Sequence, residues 1–101
     1  MPTYISLLRY TQQGISSIQD APARIDAAKE GYRKAGGELK AVYLTMGQYD
    51  LVAIAELPND EAVARMALAL GGQGNLRTET MRAFTETEFR KIAGSTAGTR
   101  T

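Results

Sequence analysis

The chain has 101 residues, which is the size of one domain and enough to build a hydrophobic core without disulfides. Twelve basic and eleven acidic residues give a formal charge of +1, so we expect no nucleic-acid partner. Histidine, cysteine and tryptophan are all absent, which excludes thiol nucleophiles, disulfides, zinc fingers, histidine-ligated haem and imidazole bases. No apolar run approaches the ~20 residues of a membrane span. The N-terminus lacks the pattern of a secretory signal, so we expect a cytoplasmic protein with no membrane partner.

The first half of the chain predicts a strand followed by a helix. Residues 3–10 form a short run of aromatic and aliphatic side chains, which is typical of a strand. Ile15 and Ile18 indicate one helical turn, and a longer helix begins at Pro22. That helix ends at a pair of glycines, and its apolar positions follow a 3.6-residue period: Ile25, Ala28, Tyr32 and Ala35.

The second half predicts a hairpin, a helix and a last strand. Two apolar runs at residues 38–46 and 51–57 are separated by a short glycine-containing turn, which predicts a β-hairpin. Asn59 and Asp60 supply a cap for a second helix, whose apolar positions are Val63, Met66, Ala67 and Leu70. A fourth strand is predicted at residues 75–84 and a short helix at 86–92. We therefore expect one domain over residues 3–92 and a disordered tail over residues 93–101.

This order of elements is the ferredoxin-like βαββαβ arrangement, or split βαβ, of the α+β class. The first and third strands are then central, and the helices cover one face of the sheet. In a sheet with one face exposed to water, the central strands should alternate apolar and polar residues. Neither of the two central strands does so. On the second strand we expect Leu39, Ala41 and Tyr43 on one side. A sheet that is apolar on both faces indicates a second copy packed face to face, a dimeric α+β barrel. The alternative is that tyrosines and alanines tolerate water on that face.

Several ordered segments of the chain carry a resemblance to a known family. They are Gly47-Gln-Tyr-Asp-Leu-Val-Ala-Ile-Ala-Glu56, Ala69-Leu-Gly-Gly-Gln-Gly-Asn-Leu-Arg-Thr-Glu-Thr80 and Ala83-Phe-Thr-Glu86, with Thr11-Gln-Gln-Gly14 and Ala35-Gly-Gly37. Together they span about residues 3–92 and resemble the GYD-domain family. The resemblance implies a ferredoxin-like, dimeric α+β barrel and does not imply a reaction.

The hairpin turn holds the first candidate site residues. Asp50 is a candidate general base and Tyr49 a candidate hydrogen-bond donor at the mouth of a cavity that Tyr43 also lines. The structural interpretation, which we favour, is that Asp50 caps the turn and Gly47 supplies the backbone angle that the turn needs.

The fourth strand is the most polar and holds the second group of candidates. Arg77 and Glu79 share one face, and Thr78, Thr80 and Arg82 share the other. Either arginine has the planar fork that binds a ligand carboxylate. The alternative is that these charges protect an edge strand from further pairing. No spacing signature indicates a metal site, so we expect no metal and no cofactor.

Two classes of function remain open at this stage. The first is a small-molecule-binding, regulatory or assembly module that forms a homodimer or higher homo-oligomer. The second is a cofactor-independent oxygenase or isomerase with its site in the dimer barrel, an analogy of fold alone. The lack of histidine counts against the enzyme, and we favour the binding module. A ligand pocket would need roughly 300 Å³ between sheet and helices or inside the barrel.

Overall fold

A computed structural model describes residues 1–97 of the chain. In chain order its elements are β1 (Thr3–Tyr10), α1 (Gln12–Ser16), a 3₁₀ turn (Ile18–Asp20), α2 (Ala21–Lys34), β2 (Glu38–Leu44), β3 (Leu51–Glu56), α3 (Asp60–Gly72), β4 (Leu76–Ala83) and α4 (Glu86–Ala97). None of the helices in this part of the chain is long and apolar enough to cross a membrane.

The four strands form one antiparallel sheet in the order β2-β3-β1-β4. The two central strands are β1 and β3, as the sequence predicts. The chain therefore has the ferredoxin-like α+β fold, with α1 and α4 added to its basic set of elements. In register, Ile5 of β1 lies opposite Ile54 of β3 and Met81 of β4.

The core lies between the sheet and the helices. One cluster packs Tyr4 and Leu57 of the sheet side against Tyr32 of α2 and Ala62 of α3. A second cluster at the other end of the sheet contains Leu8, Leu51 and Ala53. Leu57 is the most deeply buried large side chain, with 1% of its surface exposed. These residues alternate along β1 and β3, so every second side chain of the central strands supports the helix layer.

The opposite face of the sheet carries no helix of the described chain, and we call it the open face. Its centre consists of Ile5 and Leu7 of β1 and Val52 and Ile54 of β3, all partly exposed. The sequence predicts Leu39 on the same side as Ala41 and Tyr43, and that prediction is wrong for Leu39. The register shifts between Leu39 and Ala41, so a bulge at Lys40 turns Leu39 towards the helices.

The last helix, α4, is longer than the sequence predicts. We expected a disordered tail from residue 93, but the helix continues through Ala97, and residues 98–101 lie outside the described part of the chain. Its start is a capping box, in which Thr85 and Glu88 exchange backbone-to-side-chain hydrogen bonds of 2.8 and 3.2 Å. Near its end the hydroxyls of Ser95 and Thr96 donate to carbonyls three residues back.

Candidate functional site

The hairpin loop between β2 and β3 is closed by its own backbone. The Thr45 N–H donates to the Asp50 carbonyl at 2.8 Å, and the Thr45 hydroxyl donates to the Tyr49 carbonyl at 2.6 Å. Gly47 has φ +135°, a conformation that residues with a Cβ rarely adopt. The tip of the loop therefore depends on glycine for its shape. Beside it, Met46 projects fully into solvent, with 99% of its surface exposed.

Asp50 joins the hairpin loop to the central strand β1. One carboxylate oxygen accepts the Tyr10 N–H at 2.9 Å, and the Asp50 N–H donates to the Leu8 carbonyl at 2.9 Å. The pairing of β1 with β3 ends at Leu8 and Leu51, so the Tyr10 amide points beyond the end of β3. The carboxylate of Asp50 takes the place of the missing strand carbonyl. Asp50 therefore holds the loop against β1, and its carboxylate bonds that strand, whereas the sequence predicted a bond to the backbone of its own turn.

The remaining residues of the loop face a cluster on the open face. The Tyr49 hydroxyl donates to a carboxylate oxygen of Glu79, and the Arg9 guanidinium lies 4.7 Å from the centre of the Tyr49 ring. The Arg9 Nε also donates to the Gln48 carbonyl at 2.9 Å. Arg77 lies directly opposite Arg9 in the β1–β4 register. A shallow groove of about 180 Å³ runs between these side chains and Leu7.

The pairing of Tyr49 with Glu79 changes the chemistry of the phenol. The hydrogen bond to Glu79, followed by burial and the negative charge of Glu79, raises the pKa of Tyr49 above its ordinary value of 10.0, while Arg9 opposes the shift. Tyr49 therefore stays protonated at neutral pH and acts as a donor. Two guanidinium groups, one carboxylate and one phenol make this cluster suited to binding an anion.

We call Arg9 and Arg77, with the neighbouring Glu79, the basic corner of the open face. Two arginines directly opposite each other repel, and only Arg9 has a partner here. Within residues 1–97, the side chain of Arg77 makes no hydrogen bond or ion pair.

The diagonally opposite end of the open face is acidic. Glu38 of β2 and Glu56 of β3 lie directly opposite each other, and Glu56 is level with Thr3 at the start of β1. Lys40 reaches Glu38 with a long, exposed contact of 3.6 Å. In the described part of the chain, Glu56 has no hydrogen-bonding or ionic partner for its side chain. We call Glu38 and Glu56, with the neighbouring Lys40, the acidic corner.

Arg82 lies on the other side of the sheet, towards α3. Its guanidinium lies 4.4 Å from the centre of the Phe84 ring and 5.8 Å from that of Tyr4, and it donates to the carbonyl of Ala83. Next to it, the Tyr4 hydroxyl donates to Asp60 at 2.5 Å, and this bond raises the pKa of Tyr4. An open groove of about 420 Å³ lies between β4 and α3 at this point.

The space between sheet and helices is nearly filled. The cavity there has a volume of about 60 Å³ and is lined by apolar residues such as Leu8, Ile25 and Leu51. Small-molecule pockets are usually about 300–1,000 Å³. None of Tyr43, Tyr49 and Arg82 lines this cavity. The interior of a single chain is therefore too small for the ligand pocket considered from the sequence.

The six candidate residues consequently fall in four places. Tyr49, Arg77 and Glu79 meet on the open face, while Asp50 lies at its edge in the loop. Tyr43 is on the open face but on β2, and Arg82 is on the helix side. Sequence reasoning missed Arg9, and it missed the pairing of Glu38 with Glu56. The alternation of β1 places Arg9 on the face of Ile5 and Leu7, which was the available signal.

Within residues 1–97, no group of three or more carboxylate side chains is placed to hold a metal ion. The open-face cluster offers hydrogen-bond donors and charges of both signs. Its chemistry suits binding.

Comparison with known proteins gives three similarities. The family model described as the GYD domain matches residues 4–93. A protein of Thermus thermophilus named glutamine synthetase and cystathionine beta-lyase binding protein is 34% identical over 85 residues, which cover 83% of this chain and 90% of that protein. The crystal structure of TTHA0845, also from Thermus thermophilus, superposes with a TM-score of 0.52 at 29% identity, covering 84% of this chain and 95% of that one.

Proposed function

The chain belongs to the GYD domain family, and on that premise we propose that it is a regulatory or assembly module that binds other proteins and works as a homodimer. Its nearly filled interior, with a cavity of about 60 Å³, favours surface binding over an enclosed small-molecule site.

The name of the relative supports a protein partner. The Thermus thermophilus protein is named for binding glutamine synthetase and cystathionine beta-lyase, and it matches most of this chain. Because that match extends over 83% of the chain, it includes the sheet and not only one loop. We therefore take these two enzymes as the first partners to test.

The open face is the single observation that carries the homodimer. Its centre of Ile5, Leu7, Val52 and Ile54 is aliphatic, and no helix of the described chain covers it. A contiguous apolar face of a soluble protein marks an interaction surface. A second copy offers the same aliphatic face, so the contact is isologous.

The hairpin tip remains available to a protein partner in such a dimer. Leu44 and Met46 are 80% and 99% exposed, and Leu44 points away from the open face. Methionine is enriched at protein interfaces because its flexible thioether adapts to the partner's surface. We propose that this tip inserts into an apolar pocket of the bound enzyme.

The test combines native mass spectrometry with a binding assay. Native mass spectrometry of the purified chain should give the mass of two copies and no co-purified small molecule. Biolayer interferometry should then detect binding to purified glutamine synthetase or cystathionine beta-lyase from the same organism. The variant Met46→Ser should weaken binding at least about tenfold, as expected for a hot-spot side chain. Leu68→Ser is the matched control, since Leu68 is 76% exposed on α3.

Three results would count against the proposal. A single-chain mass at micromolar concentration would remove the homodimer. Failure of both enzymes to bind would remove the proposed partners. A stoichiometric co-purified small molecule would instead favour the alternative of a small-molecule-binding module or an oxygenase- or isomerase-type enzyme, with the groove beside Arg82 as the first place to search.

A further inference from the structure

The groove of about 420 Å³ between β4 and α3 has one aliphatic wall and one polar wall, and we call it the side groove. Helix α3 supplies the aliphatic wall and strand β4 the polar one, with the lining residues Val63, Ala64, Ala67, Thr78, Thr80 and Arg82. Alanine side chains end at Cβ, so this part of α3 leaves space beside the edge strand β4. Small-molecule sites are usually about 300–1,000 Å³, so the side groove is large enough for one.

Opposite charges lie at one end of the side groove without forming an ion pair. Tyr4 lies opposite Arg82 in the β1–β4 register, and its hydroxyl donates to one carboxylate oxygen of Asp60 at 2.5 Å. Arg82 and Asp60 therefore flank the same tyrosine, one at its ring and one at its hydroxyl. Among residues 1–97 no ion pair joins Asp60 to Arg82, and the second oxygen of Asp60 accepts no hydrogen bond.

The contacts of Arg82 leave one edge of its guanidinium open. The guanidinium carbon lies 4.4 Å from the centre of the Phe84 ring and 5.8 Å from that of Tyr4. Nη1 donates to the carbonyls of Ala83 and Thr3, whereas Nε and Nη2 have no acceptor in the described part of the chain. Stacking on a ring uses the face of a guanidinium, so the Nε–Nη2 edge remains available for the paired hydrogen bonds that bind a carboxylate.

Glu88 at the start of α4 is held away from this edge. The hydrogen bond from the Thr85 N–H is the largest cause of the lowered pKa of Glu88, and the charge of Arg82 contributes less. The Glu88 carboxylate accepts that N–H at 2.8 Å, and no ion pair joins it to Arg82 within residues 1–97. The capping box thus keeps this carboxylate on α4, and the open edge of Arg82 faces no acidic partner of its own chain.

A line of three hydroxyl groups continues the side groove beyond its charged end. The hydroxyl oxygens of Ser6 and Thr80 are 2.8 Å apart, and those of Thr80 and Thr78 are 2.9 Å apart. Three hydroxyl protons serve two hydrogen bonds, so one proton has no acceptor among residues 1–97. Because hydroxyl protons rotate, either threonine can present the spare proton to an acceptor atom in the groove.

We propose that the side groove binds a free α-amino acid with an aliphatic side chain. Arg82 holds the carboxylate of this ligand with Nε and Nη2, and the spare threonine proton adds a third hydrogen bond. The second oxygen of Asp60 accepts from the ligand's ammonium group, and the aliphatic side chain lies against Ala64 and Ala67. The site is on the opposite side of the sheet from the open face, so it requires neither the homodimer nor the hairpin tip.

An open groove of this kind holds its ligand weakly. A small ligand that keeps part of its surface in water gains little beyond its head-group contacts, and we expect a Kd on the order of 1 mM for leucine. A ligand with that Kd dissociates during purification. The expectation that the purified chain carries no small molecule is therefore unchanged.

Binding is measured by titrating L-leucine and L-valine into the isotope-labelled chain and following its backbone amides by NMR. The amides of α3 and β4 beside the side groove should shift. Isocaproate is leucine without its ammonium group, and isoamylamine is leucine without its carboxylate. Each should bind at least about tenfold more weakly than leucine, because each leaves one charged group of the groove unmatched.

Two results of this titration would overturn the proposal. If neither amino acid shifts these amides at about 10 mM, roughly ten times the expected Kd, the groove does not bind them. If isocaproate binds as tightly as leucine, the groove is a carboxylate site that does not recognise the ammonium group.

Two variants assign the two charges separately. Arg82→Gln should weaken leucine binding at least about tenfold and leave isoamylamine binding unchanged, because it removes only the partner of the carboxylate. Asp60→Asn still accepts the Tyr4 hydroxyl through its amide oxygen, and it should weaken leucine binding about tenfold but not isocaproate binding. The matched controls are Arg65→Gln and Glu61→Gln, which remove exposed charges of α3 outside the groove. If the controls weaken binding equally, the assignment of the two charges is wrong.

Filling the groove tests its location without changing any charge. Ala64→Leu places a larger side chain in the side groove and should abolish leucine binding. The control is Ala69→Leu, because Ala69 is exposed on α3 and does not line the groove. Circular dichroism verifies that each variant is folded. If Ala64→Leu binds leucine as the wild type does, the proposal is overturned. If leucine binds but both enzymes fail to bind, the proposed function is wrong and the side groove stands.

Discussion

The role of Asp50 can be settled by replacing it and measuring stability. Its carboxylate accepts the Tyr10 N–H at 2.9 Å beyond the end of β3, in a partly buried position. A hydrogen bond to a charged group contributes about 1.5–3 kcal/mol. We therefore expect Asp50→Ala to lower the free energy of unfolding by about 2 kcal/mol, which corresponds to roughly 8–16 °C in Tm for a domain of this size.

Asp50→Asn separates the hydrogen bond from the charge. The asparagine carbonyl still accepts the Tyr10 N–H, but a neutral acceptor contributes only about 1 kcal/mol. The expected order of stability is wild type, then Asp50→Asn, then Asp50→Ala. The control is Asp26→Ala, because Asp26 is exposed on α2 and its side chain makes no hydrogen bond or ion pair in the described part of the chain. We expect this control to stay within about 0.5 kcal/mol of the wild type.

The assay is urea unfolding followed by circular dichroism at one protein concentration, since the stability of a homodimer such as the proposed one depends on concentration. Binding to glutamine synthetase is measured on the same samples. If Asp50→Ala is as stable as Asp26→Ala but no longer binds, Asp50 is a site residue and the structural interpretation is refuted.

Two further predictions concern the close approach of Gly37 to β3 and the open-face cluster. A Cβ added at Gly37 would lie 2.0 Å from the Glu56 carbonyl oxygen, so Gly37→Ala should lower the free energy of unfolding by about 1–3 kcal/mol. A Cβ added at Gly71 meets no atom within 4 Å, so Gly71→Ala should raise the free energy of unfolding by about 0.5 kcal/mol in the same calorimetric scan. The raised pKa of Tyr49 means that its bond to Glu79 stabilises the fold below pH 10.0 and that this contribution is lost as the pH rises through the folded-state pKa. Glu79→Gln should lower that pKa in an ultraviolet titration of the tyrosines; an unchanged titration would contradict the assigned bond.

The strand order could be predicted because the periodicity of the apolar residues agrees, along most of the chain, with the glycines and prolines that separate the elements. The alternation of Leu51, Ala53 and Ala55 with Val52 and Ile54 determined which residues of β3 share a face, and the structure confirms it. The bond of Asp50 was not accessible, because aspartate in a hairpin loop commonly bonds the backbone of its own turn, whereas this carboxylate accepts the Tyr10 N–H of β1.

Other features depend on contacts that no local pattern encodes. No glycine or proline marks the bulge at Lys40. The side of the sheet that Leu39 faces could therefore be determined only from the register of β2 on β3. Arg9 meets Tyr49 across 40 positions of sequence, and only the pairing of β1 with β3 brings them together. The end of α4 was missed because its small polar residues favour a tail by composition, and no apolar periodicity marks the helix there.

The formal charge of +1 does not describe how charge is distributed over the open face, and the register of the strands explains why. The two corners contribute equal and opposite formal charges, so they cancel in any sum over the chain. Their separation by about 22 Å exceeds the Debye length of about 8 Å at physiological salt, so within one chain the corners barely attract each other. A near-zero net charge therefore gives no reason to expect a surface without electrostatic specificity.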